Sequence, residues 1–309
     1  MSEKAAVHNR GRKGTSLWNN KLKESVSGYL FLVPEFIGVF ILGIFPLFFS
    51  LYLSFTDWDL VSGLGSIHLI GLENYRFLFE DPQFFLTLKN NLIFSAVYVP
   101  ASIFLALLIA IAISSVVYFR DFFKIAFFIP YISTMVAIAS VFSVLFHPSL
   151  GVVNNFLTSI GVENPPGWFG STDTALWGII IISVWQVVGY NVVIYIAGIT
   201  GISKELYESA QIDGAGKLKQ FWYITIPQLA PTTFFLLITS IVNSFKVFDV
   251  IAFLTQGGPN NATNVLVYYI YEEGFQNFRM GYASALSWVL FLIIAAITIV
   301  TAKSQKQQV

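Results

Sequence analysis

The sequence contains no cysteine. Disulfides, thiolate nucleophiles and cysteine metal centres are therefore excluded. It has only three histidines, His8, His68 and His147, too far apart in the chain for the close ligand spacings of a histidine metal cluster. Charge is scarce as well. Only 11% of the 309 residues are Asp, Glu, Lys or Arg, against roughly 25% in soluble domains. The 17 basic residues balance the 17 acidic ones, so no bulk field draws nucleic acid to the chain. What is abundant is apolar: 56% of the residues, which reads as a membrane protein.

Six runs are long and apolar enough for spans of about 20 residues: Tyr29–Phe55, Leu92–Ser115, Phe122–Phe146, Ala175–Ile199, Thr232–Leu254 and Ala283–Thr301. Lipid cannot satisfy an open backbone, so runs of this length are helical, and an all-α polytopic protein follows. The N-terminus does not read as a cleavable signal, because about 28 mostly polar residues precede a run too long for a signal core. Residues 1–28 and 303–309 are expected to be tails around a membrane domain over 29–302. Basic residues gather in the first tail (Lys4, Arg10, Arg12, Lys13, Lys21, Lys23), after span two (Arg120, Lys124), near Lys204, Lys217 and Lys219, and in the last tail (Lys303, Lys306). The opposite loops hold only Arg76, Lys89 and Arg279. The positive-inside rule then places both termini in the cytoplasm. The tail stretch with Leu17, Trp18, Leu22 and Val26 is either a surface-lying amphipathic helix or a plain disordered tail.

One polar segment interrupts the apolar chain on that cytoplasmic side. Glu208, Asp213, Lys217 and Lys219 fall within twelve residues, whereas Thr174–Ser203 and Gln220–Phe245 carry no charge. Ser203 can cap a helix with Glu205 in its first turn, Asp213-Gly214 ends it, and Lys217–Tyr223 begins a second. The segment 203–227 is thus a helix–turn–helix bracket, either a passive surface hairpin or a docking element. Gly214-Ala215-Gly216-Lys217 does not complete a nucleotide loop, because Gln211 and Leu218 occupy the positions that need Gly and Ser or Thr. No other such loop occurs, so the chain itself is not expected to bind ATP.

Polar groups within spans are costly and usually face protein or water. Ser240, Asn243 and Ser244 lie on one helical face of span five, and Gln186 and Tyr190 on one face of span four, beside Trp185. These stripes are either interhelical packing or a path for a sugar, whose hydroxyls suit Asn, Gln and Ser and whose rings stack on Tyr or Trp. Lys246 and Asp249, three apart, are expected to pair, with contact to a charged or acidic sugar as the other reading. Glu35 reads as a local anchor.

Glu208-Ser209-Ala210, Asp213-Gly214-Ala215, Ile224 and Pro227 resemble the "EAA" loop of bacterial ABC importer permeases, roughly E-A-A-x-x-D-G-A followed by I-x-x-P. Ser209 departs from the middle alanine, small for small. Ser54-Phe55-Thr56-Asp57, Gly71-Leu72-Glu73-Asn74-Tyr75, Leu254-Thr255-Gln256-Gly257-Gly258-Pro259 and Gly281-Tyr282-Ala283-Ser284-Ala285 resemble the carbohydrate branch, the maltose-type and glycerol-phosphate-type group. The resemblance covers the chain from span one to span six. It implies a type I importer permease in a bacterial plasma membrane and a non-enzymatic subunit. The bracket is then a coupling helix that meets a separate ATPase through Glu208, Ala210, Asp213, Gly214, Ala215 and Gly216. ATP and Mg would be bound by that ATPase and no cofactor by this chain. The implied partners are a second, different permease, two ATPase subunits and an extracellular or periplasmic solute-binding protein; of the long outward loops 57–91, 147–173 and 256–281, the first and last are expected to meet it. Tyr190, Ser240, Asn243 and Ser244 fall where maltose-type permeases line their sugar site, and Val247 is an apolar departure there. An oligosaccharide is the implied cargo.

Two other classes compete. An ion-coupled transporter could use Glu35 and Asp249, but it has no need of an ATPase dock, and internal inverted repeats are not evident. A polytopic membrane enzyme lacks the clustered His, Cys or paired carboxylates it would need.

Overall fold

A computed structural model describes residues 28–115 and 119–306. The tail expectation around Leu17–Val26 lies outside the described residues. Among the described residues, five helices are long and apolar enough to cross a membrane: α1 (Gly28–Leu53), α3 (Pro82–Ser115), α7 (Ala175–Thr200), the segment Ala230–Leu254, and α13 (Met280–Lys306). Short α2 (Glu73–Glu80) precedes α3. The third expected span differs from the others. It is two helices, α4 (Arg120–Ile132) and α5 (Met135–Leu145), bent by 95°. Ser133 and Thr134 between them are extended, at ψ 146 and 136. Hydropathy sees one apolar run there because two small hydroxyl residues, Ser133 and Thr134, are too weakly polar to interrupt it. Pro130, which has no N–H to give to the preceding turn, stands just before them.

The second span also differs. It starts ten residues before the expected Leu92, at Pro82. Asn90 and Asn91 lie just before the expected start, and both are buried against protein. Asn90 Nδ2 donates to the carbonyls of Asn261 and Asn264, each at 2.9 Å. The fifth span is interrupted too: α10 (Ala230–Phe245) ends at Lys246, and α11 (Asp249–Leu254) restarts it.

Prolines account for two π turns. Phe40–Ile44 within α1 is followed by Pro46, and Phe221–Thr225 by Pro227. A missing proline N–H frees a carbonyl in the preceding turn, and a wider turn absorbs the mismatch.

The core lies between α3 and α7, with α4 and α10 packed on them. Gly189 allows the closest approach. A Cβ there would stand 1.7 Å from the Phe127 carbonyl oxygen of α4, so only glycine lets the two helices meet. At one end, Arg120 Nη2 donates to Thr200 Oγ1 at 3.2 Å, next to the polar hairpin 203–227. At the opposite end the segments 54–81, 146–174 and 255–279 form a cap. The cap includes α6 (Val152–Ser159) and α12 (Leu266–Tyr271), and Trp168 stacks on Phe146 at 4.3 Å. The outward loops of the sequence reading are therefore ordered structure.

Candidate functional site: a polar cavity, a hairpin and a cap

A cavity of about 340 Å³ opens where the two helix breaks face each other across α3 and α7. α3 supplies Phe94 and Tyr98, the α4–α5 bend supplies Tyr131 and Met135, and α7 supplies Ser183 and Gln186. The α10–α11 break supplies Asn243, Lys246 and Asp249. The volume is at the small end of ligand sites, which run from about 300 to 1,000 Å³.

Local bonds hold this wall. The bend frees the Ser133 carbonyl, and Gln186 Nε2 donates to it at 3.4 Å, leaving the amide oxygen for a ligand. Ser183 Oγ donates to Ile179 O at 2.8 Å, so its lone pairs can still accept. Phe94 stacks on Tyr98 at 5.2 Å, and Tyr131 on Tyr190 at 4.8 Å. Tyr190 is half-buried and reaches the cavity through Tyr131 rather than lining it directly.

The stripe Ser240–Asn243–Ser244 divides. Asn243 is exposed and lines the cavity. Ser240 and Ser244 are buried; Ser244 Oγ donates to Ser95 Oγ at 2.8 Å, and Asn91 Nδ2 donates to the Ser244 carbonyl at 3.2 Å. Ser244 thus packs α10 against α3, while Ser240 is buried and does not line the cavity.

The expected Lys246–Asp249 pair is a correction. Among the described residues no ion pair joins them, and both are exposed on the cavity wall. The continuous helix that i,i+3 pairing requires is broken at Lys246–Phe248. Lys246 instead sits at the C-terminal end of α10 and Asp249 in the first turn of α11, the ends whose partial charges suit each of them. Tyr98 and Tyr131 escaped the sequence reading. Their signal is a phenol inside an otherwise apolar span, the intramembrane polar group that the stripes were chosen by.

A larger groove of about 610 Å³ lies between α3, α4 and α7, lined by apolar side chains and by Trp177 and Trp185. It offers a hydrated solute almost no donor or acceptor. Trp185 faces this groove, away from the polar cavity.

The hairpin is the second element. Ser203 Oγ accepts from the Glu205 N–H and starts α8 (Lys204–Ile212). Gly214, at φ +78, closes α8 with the Ala215 N–H on Ala210 O at 2.8 Å and its own N–H on Gln211 O at 3.0 Å. This is a Schellman turn, which glycine adopts without a Cβ penalty. α9 (Lys217–Gln220) then runs through the π turn toward α10. Gln220 Nε2 ties it back to Ala215 O, and Tyr207 Oη shares a hydrogen bond with Thr225 Oγ1. The turn Asp213–Gly216 is therefore braced while its outer face is bare. Ile212, Leu218 and Tyr223 are 87%, 73% and 81% exposed, with Glu208 and Asp213 exposed beside them.

The cap is stapled by buried acids. Asp81 accepts from the hydroxyls of Tyr269 and Tyr282, and Glu273 pairs with Arg279 at 3.0 Å. Arg279 also lies over the rings of Phe77 and Tyr282 at 5.0 and 4.8 Å. Burial raises the Tyr269 hydroxyl well above its ordinary range, and Asp81 adds to the shift. Burial likewise raises the Glu272 carboxyl, against the hydrogen bond from Asn264. Asn74 Nδ2 donates to the carbonyls of Ser54 and Thr56 at 3.0 and 2.8 Å. The motifs around Ser54, Asn74 and Gly281 thus meet in one place. A Cβ on Gly281 would lie 2.1 Å from the Thr56 carbonyl oxygen.

Comparison with known proteins agrees with this architecture. Residues 29–307 match the family model described as "Binding-protein-dependent transport system inner membrane component". The probable ABC transporter permease protein YurN of Bacillus subtilis (strain 168) is 37% identical over 279 residues, covering 89% of this chain and 94% of that protein. The lactose transport system permease protein LacF of Rhizobium radiobacter is 34% identical, covering 92% and 95%. A crystal structure of a bacterial ABC transporter that imports the acidic polysaccharide alginate superposes with TM-score 0.83 at 26% identity, covering 94% of this chain and 99% of that one. A second, in complex with an alginate pentasaccharide-bound periplasmic protein, superposes with TM-score 0.80 at 26% identity, covering 91% and 94%. Full-length matches of this kind, on a chain with several helices long and apolar enough to cross a membrane, make this a multi-pass ABC transporter permease subunit of the binding-protein-dependent transport system inner membrane component family.

Proposed function

We propose that this subunit forms half of the path by which an ATP-driven importer carries a sugar, an oligosaccharide in particular, across a bacterial plasma membrane. The observation that carries the reading is the cavity wall. Gln186, Asn243, Ser183 and two phenols offer donors, acceptors and ring faces within a membrane domain, the mixture a polyhydroxylated ring needs. The lactose and alginate cargoes of the similar proteins support it.

The partners follow from exposed surfaces. Ile212, Leu218 and Tyr223 form an apolar face beside Glu208 and Asp213, which suits a groove on a separate ATPase subunit. That subunit binds ATP and Mg, and this chain binds neither. α1 is almost wholly exposed and leaves room for a second, different permease as well as lipid. The cap receives the solute-binding protein; a similar chain belongs to a transporter solved in complex with its periplasmic protein. With the hairpin facing ATP, both termini are cytoplasmic, in keeping with the distribution of Lys and Arg.

The test is reconstitution of this chain with its partner permease, ATPase and binding protein. Uptake of labelled sugar that requires ATP and the binding protein is expected. Uptake driven by a proton or sodium gradient without ATP would sink the reading.

A further inference from the structure

The cavity has an electrostatic feature that a generic sugar path does not require. Of its thirteen lining residues two are charged, Lys246 and Asp249, opposite in sign and both exposed to it. Neither is spent on the other or on another side chain in an ion pair among the described residues. Everything else on the wall is neutral. From this we infer that the path selects uncharged sugars, with Lys246 and Asp249 as the residues that set this specificity. The inference rests on the sugar reading above and adds the charge class of the cargo.

The chemistry is complementary. A carboxylate is acceptor-only and takes two neighbouring hydroxyl protons at once, while an ammonium has three protons to donate and nothing to accept. Charge-assisted hydrogen bonds of this kind are roughly twice as strong as neutral ones. A neutral sugar, with a donor and an acceptor on every hydroxyl, uses both. A uronate or sugar phosphate finds Lys246 but must bring its own charge beside Asp249, three residues away across the same break. Like charges in a partly dry site oppose each other strongly. A cationic sugar meets the same problem at Lys246. The wall therefore rejects net charge of either sign while rewarding hydroxyls.

The experiment uses the full importer in proteoliposomes. Its binding protein is first exposed to a mixed digest of neutral glucans and xylans together with the uronic polymers pectin and alginate. The retained sugars are identified by mass spectrometry, and their uptake is measured. An uncharged sugar should be retained and imported. Lys246→Gln and Asp249→Asn, which keep size and remove charge at exposed positions, should each slow that uptake tenfold or more. Both should still co-purify with the partner subunits, and Ser143→Ala on α5 should transport like the parent. Import of a uronate overturns the inference and leaves the sugar reading intact. So does uptake by both charge-removed variants equal to Ser143→Ala. If a variant fails to assemble, the charge of the sugar imported by the parent decides alone. A binding protein that retains no sugar from the digest overturns the sugar reading itself, and this inference with it.

Discussion

α1 and α7 are each 26 residues long and similarly apolar, with mean hydropathy of 2.4 and 2.0 in their best windows. Yet 6% of that window is buried in α1 and 67% in α7. Their glycines show the same contrast. A Cβ added to Gly38 or Gly43 of α1 would meet nothing within 4 Å, whereas one on Gly189 of α7 would run into the backbone of Phe127. Apolarity sufficient for lipid is therefore a different property from a surface shaped for protein. The first comes from composition. The second needs small residues where a neighbour arrives, and among the described residues only one of these helices has a close neighbour along its length.

The largest expected effect tests that contrast directly. Gly189→Leu must push α4 off α7, and overpacking a filled interface costs about 1–3 kcal/mol or more; the purified protein should melt much lower or fail to assemble. Gly38→Leu should leave the melting temperature nearly unchanged. Equal losses at both glycines would mean that α1 is as closely packed as α7.

The next effect moves the comparison to the cap. Asp81→Ala strips the acceptor from two buried hydroxyls, Tyr269 and Tyr282, at about 1–3 kcal/mol for each group left unsatisfied. Asp81→Asn keeps one acceptor oxygen and should recover much of the loss in a thermal melt. A melt of Asp81→Ala no different from the parent would show that the staple is dispensable.

At the hairpin the constraint is backbone shape rather than crowding. Gly214 is at φ +78 with open space around it, and Gly216 is at φ −68. Gly214→Val should cost about 1–2 kcal/mol, the penalty of a left-handed residue with a Cβ, and should collapse substrate-stimulated ATP hydrolysis in the reconstituted importer. Gly216→Ala should be close to neutral in the same assay. Normal stimulation in Gly214→Val would remove the turn from any coupling role.

Within α10 the contrast narrows to adjacent residues. Asn243→Ala should slow sugar uptake roughly tenfold, since about 1.4 kcal/mol in a barrier is tenfold in rate. Ser244→Ala, facing Ser95, should lower stability by about 1 kcal/mol and leave uptake near normal. Reversed phenotypes would place the path on the other face of α10.

The smallest effect concerns pH. Burial raises the Glu272 carboxyl in the folded state, so its contribution to stability is complete below the ordinary glutamate pKa and is lost as pH rises through the raised value. Stability should fall slightly from acid toward neutral pH, and Glu272→Gln should flatten that part of the profile, read by thermal melts across pH.

Much of this protein was legible in its sequence, for reasons that differ by region. The hairpin was readable residue by residue because its determinants are local: a serine cap at Ser203, a left-handed glycine at Gly214, and charges that lipid excludes. The spans were readable because a lipid-facing backbone must satisfy its own hydrogen bonds, which leaves apolar runs no alternative to helix. The cavity was only half readable. Gln186 and Asn243 stood out as polar groups in apolar helices, but the phenols of Tyr98 and Tyr131 could equally have been core.

By itself the sequence determined which segments are helices in the membrane and where the polar hairpin turns, because those choices depend on contacts within a few residues and on the solvent. Tertiary structure decided the rest. The 95° bend at Ser133 and Thr134 exists where Gln186 of another helix can meet the carbonyl it frees. Lys246 and Asp249 face a cavity rather than each other because the helix that would pair them breaks between them. Ser244 and Asn243 are neighbours with the same claim to a polar partner. Ser244 became packing because Ser95, 149 residues earlier, lies across from it, and no local pattern encodes which side chain the neighbouring helix will bring.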